Sequence, residues 1–245
     1  MIIELIVIIS FVMMHFIEFF SFSSRAGGKL SGNTTLGTTF HYSMHTASRF
    51  LLIIFLPSIA FMVETMTKLD NFLIVPVISL LICFSLNLIV ILKFNYAQMF
   101  FQQVFKLYSE SNNLFLSLFK ALYIKNENSE TAKRIEQFSL KKLTPRKYLA
   151  SCIAYLFLNT GFYAAFLFSL IFYKYRLTIS QFSSMIHGFG ALIVAFYLDP
   201  MLSRSIDESL IKDRWASDMY SILFGRMLSY LFAFLIFLTI YLFVI

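Results

Sequence analysis

The segment from His15 to Lys29 places a carboxylate inside a greasy stretch of chain. Apart from Glu4, the residues before it are apolar or small. His15, Glu18, Phe22 and Arg25 follow at i, i+3, i+7 and i+10, which puts an imidazole, a carboxylate and a guanidinium on one helix face. His41, His45, Ser48 and Arg49 share a face of a second apolar segment. Asn87, His187 and Arg226 each stand alone in a further one. An ionised side chain at membrane depth costs at least about 2.5–3.5 kcal/mol, so such residues face a bundle interior and pair. One carboxylate among several arginines leaves surplus positive charge. That surplus suits an anionic group such as a phosphate, to which a guanidinium offers two parallel donors. The competing reading is structural: Glu18 pairs with Arg49 or Arg226 to hold helices together, and long arginines near helix ends snorkel to the interface.

These residues need membrane helices to position them. The chain has 245 residues, 59% hydrophobic and only 13% charged. That charged share is about half the soluble norm. Scanning for runs of roughly 20 apolar residues gives six spans, near 3–24, 42–63, 71–92, 148–173, 177–198 and 221–245. The runs are continuously apolar and do not alternate, which argues against a β-barrel. The expectation is a single, all-α, polytopic membrane domain. The first run lacks a basic leader and a small-residue cleavage site, so it reads as a retained span. Pro57 predicts a kink in the second span. Pro200, after Asp199, predicts the end of the fifth. Cys83 and Cys152 lie in apolar runs and read as packing residues.

Most of the 20 basic residues follow odd-numbered spans, among them Arg25, Lys29, Arg204, Lys212 and Arg214. The stretch 94–147 is the richest. Only Lys68, Lys174 and Arg176 follow even-numbered spans. The positive-inside rule then predicts cytoplasmic odd loops and both termini outside. In that rule the net charge of +7 needs no nucleic acid partner. Within the third loop, Phe100, Phe101, Val104, Phe105 and Tyr108, and then Leu114, Phe115, Leu118, Phe119 and Leu122, recur at helical spacing. Two amphipathic helices are expected, lying at the interface or packed on the bundle. A charged connector, Lys125–Lys147, follows them.

With that orientation, a rise of about 1.5 Å per residue puts Glu18, Arg49, Asn87 and Arg226 in one layer, roughly 9–10 Å inside the cytoplasmic ends of their helices. Glu18 would sit in a polar, basic chamber with Arg49 and Arg226, near His15, His45 and Asn87. Packing is the simpler role for His187, with a headgroup or proton contact as the alternative. Asp199 is expected to pair with a loop base. No His-Glu-x-x-His, Asp-Asp-x-x-Asp, Gly-x-Ser-x-Gly or P-loop pattern is present, so no catalytic residue, metal or cofactor is expected.

One further pattern runs along nearly the whole chain. His15-x-Ile17-Glu18, Ser21 and Arg25-x-x-Gly28 are followed by Ser48-Arg49, Pro57 and Val63-Glu64, then Asp199-Pro200 and Gly225-Arg226. In that order they resemble the Amj family of bacterial lipid II flippases. Phe50 and Ser229 depart from the pattern. The resemblance implies a multi-pass protein of the bacterial cytoplasmic membrane that moves an undecaprenyl-diphosphate-linked sugar to the outer leaflet. The lipid-linked diphosphate and the surrounding membrane lipids would then be its partners. Arg49, Arg226 and Arg25 become the expected diphosphate ligands, with Glu18 as their counter-charge. Two rivals stand beside it: a membrane enzyme acting on polyprenyl or phospholipid substrates, and a scaffold for envelope synthesis that uses the basic loop for docking.

Overall fold

The computed structural model describes residues 2–65, 69–123, 135, 138–210 and 214–244. Lys68, Lys212 and more than half of the Lys125–Lys147 connector lie outside the described residues. All regular structure among the described residues is helical. Six helical stretches are long and apolar enough to cross a membrane. The described residues form ten α-helices: α1 Ile2–Leu30, α2 Thr34–Ser48, α3 Phe50–Thr65, α4 Leu69–Leu92, α5 Phe94–Ser111, α6 Leu114–Tyr123, α7 Pro145–Ile171, α8 Arg176–Ile193, α9 Asp199–Asp207 and α10 Trp215–Val244.

Several helices run past the expected span ends. α1 continues through Arg25 to Leu30 because Arg25 is buried against other helices and does not emerge into solvent. Its glycines permit this: a Cβ on Gly28 would lie 2.7 Å from the Gly37 Cα, so α1 and α2 touch backbone to backbone. The second apolar stretch is two helices, α2 and α3. At their junction the Arg49 N–H bonds to the Thr46 carbonyl and the Leu52 N–H to that of Arg49. These i→i−3 bonds tighten the turn and set the Arg49 side chain at the joint. α3 then runs unbroken through Pro57.

Pro200 does not end the fifth stretch. A π-helical turn, Val194–Leu198, leads straight into α9, with the Asp199 N–H bonded to the Val194 carbonyl. The wider turn makes room for the proline ring, so Pro200 is tolerated inside a helical stretch that continues past it. Asp199 is thereby carried on a continuous helix.

One apolar core fills the end of the bundle farther from Arg25 and joins Phe11, Phe55, Phe72, Tyr163 and Phe237. A second, around Phe19, Ala154, Leu202 and Leu223, fills the nearer end. The two amphipathic helices divide the roles foreseen for them. α5 packs on the bundle: Phe101 lies against Phe20 (5.3 Å between ring centroids) and Phe40 (5.4 Å). α6 buries Ser117 and Ala121 and leaves Phe115, Phe119 and Leu122 exposed, the profile of an interfacial helix.

Candidate functional site

Glu18 is the hub of the polar layer. Its Oε2 accepts a hydrogen bond from Arg226 Nη2 at 2.9 Å. Its Oε1 accepts one from Ser48 Oγ at 3.2 Å. His45 Nε2 and Arg49 Nε stand 3.6 and 3.8 Å from the same Oε1. His15 Nδ1 is 3.9 Å from Oε2. The groups come from α1, α2, the α2–α3 joint and α10. Two guanidiniums therefore share one buried carboxylate, the surplus of positive charge that the residue types suggested.

The two arginines are held differently. Arg226 is enclosed: its guanidinium lies 4.4 Å from the Tyr155 ring centroid and 5.7 Å from that of Phe19. Cation–π attraction is strongest in such desolvated places. Gly225 lets α10 come this close, since a Cβ there would fall 2.2 Å from the Tyr148 carbonyl oxygen. Arg49 instead remains 35% exposed and extends to α8, where Nη1 lies 2.9 Å from His187 Nε2. A guanidinium can only donate, so His187 accepts at Nε2 and is the neutral imidazole in this contact. The ring also lies against Phe162, 4.8 Å between centroids. His187 thus combines packing with a polar contact.

Arg25 does not join the Glu18 group. Its Nη2 approaches Asp199 Oδ1 at 2.9 Å, an ion-pair distance without hydrogen-bond alignment, and the Nε and Nη1 atoms have no hydrogen-bond partner. The guanidinium sits over the Tyr42 and Phe22 rings at 5.1 and 5.6 Å. Asp199 therefore pairs with a buried span residue instead of a loop base, because the helix does not stop at Pro200. Asn87 is buried on α4 with its side-chain oxygen unpartnered, and among the described residues no contact ties it to Glu18. His15 is nearer a packing residue than a ligand: its ring lies on Phe11 at 4.2 Å and neither nitrogen is hydrogen-bonded.

Three tyrosines join the site without having stood out in the sequence: Tyr155 and Tyr42 under the guanidiniums, and the buried Tyr230, whose ring lies 5.6 Å from that of His15. Tyr230 was findable, since it follows Arg226 at i+4 and therefore shares its face. Tyr155 and Tyr42 carry no local signal, because their contacts come only from the tertiary arrangement. Ser48 and His41 lie on the noted face of α2. Ser48 reaches Glu18, and His41 Nδ1 lies 2.8 Å from Ser21 Oγ.

Six apolar helical stretches around a buried, charge-rich layer define a multi-pass, all-helical membrane protein. A family model described as Amj, alternate to MurJ, matches residues 10–244, nearly the whole chain. The chain belongs to that family. No curated protein and no solved structure matches it.

Proposed function

We propose that the protein is a flippase of the bacterial inner membrane. It carries lipid II or a similar undecaprenyl-diphosphate-linked sugar from the inner to the outer leaflet and does no covalent chemistry. Both termini lie outside, as the basic loops argue. The observation that carries the reading is Glu18, a buried carboxylate contacted by two guanidiniums and an imidazole from other helices. In the empty protein Glu18 is the resident counter-charge. An arriving diphosphate takes its place beside Arg49 and Arg226, which donate to phosphate oxygens, and the Arg25–Asp199 pair lies farther along the same face of α1. His45 and Arg49 form the accessible edge of the cluster, on the side that faces α8 and the bilayer. Outward movement of a diphosphate is favoured by an inside-negative potential, at about 2.3 kcal/mol per charge per 100 mV.

The test is rescue of a bacterium depleted of its lipid II flippases, comparing the intact protein with Glu18→Ala, Arg49→Ala and Arg226→Ala at matched membrane abundance. Rescue by the intact protein alone is the expected result. Rescue by all three variants would remove the diphosphate site from this layer. No rescue even by the intact protein would move the cargo to another lipid-linked sugar or favour the enzyme or scaffold reading.

A further inference from the structure

Beyond the Arg25–Asp199 pair, at the end of the bundle where Lys29 Nζ bonds to the Ile206 carbonyl at 3.1 Å, lies a pocket of about 450 Å³. It is built from three helices and the segment before α10. Met201, Arg204, Ser205 and Glu208 line it from α9 and its end, at i, i+3, i+4 and i+7, one helix face. Lys147 enters from α7, Arg214 from the segment just before α10, and Asp218 from the first turn of α10. The charges are three basic and two acidic. Asp218, only 4% exposed, is engaged by Lys147 and accepts from Ser205 Oγ at 2.6 Å. Glu208 accepts from Arg204 Nε at 2.7 Å. Arg214 has no acidic partner among the described residues. The pocket is therefore preset by two internal pairs and keeps one spare cation.

Its position gives it a use. Asp218 precedes Arg226 by eight residues on the same helix, about 12 Å along the axis. Pro200, which also lines the pocket, adjoins Asp199. A lipid whose diphosphate lies at the level of Arg226 and whose tail stays in the bilayer must extend its headgroup the other way, towards this pocket.

We propose that the pocket is a headgroup subsite that takes a carboxylate-bearing sugar or peptide portion of the lipid-linked substrate. Arg214 binds the carboxylate, and the Arg204–Glu208 and Lys147–Asp218 pairs offer donors and acceptors to the neutral polar groups around it. This rests on the reading of the Glu18 layer as the diphosphate site. It adds that the protein discriminates headgroups and does not read the diphosphate alone.

The test uses the full-length protein in phosphatidylcholine vesicles. The flipping rates of two lipids are compared: undecaprenyl diphosphate bearing a neutral sugar, and the same lipid bearing a sugar with a carboxylate peptide. The intact protein is expected to prefer the second. Arg214→Ser, which removes the spare cation, and Met201→Trp, which fills the cavity, should each lower that preference about tenfold, the size expected of one lost charged hydrogen bond. Arg214→Lys should keep most of it. An intact protein that flips both lipids equally, or two variants that keep the full preference, would overturn the subsite. So would variants that slow both lipids alike, which marks a structural role. If the preference is lost only when anionic phospholipid is added to the vesicles, the pocket belongs to phospholipid headgroups and the proposal is wrong. If the intact protein flips neither lipid, the underlying reading fails and the subsite falls with it.

Discussion

On one side of Glu18, Arg226 is 1% exposed and closed in by Tyr155 and Phe19. On the other, Arg49 and His45 are 35% and 37% exposed, and Arg49 reaches His187 on α8. The two arginines have the same chemistry and the same carboxylate, yet their surroundings give them different work. Burial makes the Arg226 contact part of the fold, because separating it strands a charge in a dry interior. Partial exposure makes the Arg49 contact the cheaper of the two to break, so in the proposed cycle it is the first that an incoming diphosphate would replace. The neighbouring helices repeat the contrast. In its most apolar stretch α7 is 61% buried, whereas the fifth span, α8 to α9, is 17% buried. Arg49 thus reaches from the enclosed Glu18 group to a helix on the outer side of the bundle.

The contrast is broken most forcefully on the buried side. Arg226→Met should cost about 3–5 kcal/mol, because the buried Glu18 Oε2 loses its hydrogen-bonded cation and keeps only the looser contacts of Arg49 and His45 at Oε1. Thermal unfolding in detergent would register this as a large fall in Tm. The double variant Glu18→Gln/Arg226→Met should recover most of the loss, and an unaltered Tm for the single variant would show that Arg226 is not structural. Next in size is Gly225→Ala. Its Cβ would strike the Tyr148 carbonyl and force α7 and α10 apart, costing about 1–3 kcal/mol. The same melting experiment decides it.

Arg49→Met should change stability by no more than about 1 kcal/mol, in line with a half-exposed ion pair. A cost as large as that of Arg226→Met would erase the distinction between the two sides. Smallest is Gly188→Ala, next to His187 on α8. A Cβ there meets nothing within 4 Å, so the change should be neutral or stabilise by up to about 1 kcal/mol. Destabilisation would mean that this face of α8 is covered.

The sequence exposed the helical class, the six apolar stretches and the Glu18–Arg49–Arg226 grouping for one reason. A charge in a run of apolar residues is costly, so its presence signals a partner. The same logic misled at the helix ends. Arg25 read as the edge of a span, but its partner Asp199 sits on a helix that continues through Pro200, so Arg25 is interior. A π-helical turn has no compositional mark that would have revealed this. Asn87 is buried without a tie to Glu18 among the described residues: rise per residue gives a position along a helix, and packing decides which side chains meet. The aromatic rings around Arg226 come from α1 and α7, and no spacing within α10 points to them.

In the proposed flippase, Arg49 is the exchangeable partner of Glu18 and a ligand of the diphosphate. The most direct measurement is the flipping rate of a fluorescent undecaprenyl-diphosphate-linked sugar in vesicles, for the intact protein and for Arg49→Met, with Tm measured on the same preparations. The account predicts equal melting within a few degrees and flipping at least about tenfold slower in the variant, the loss expected of a charged hydrogen bond to phosphate. Equal flipping rates at equal melting would contradict it.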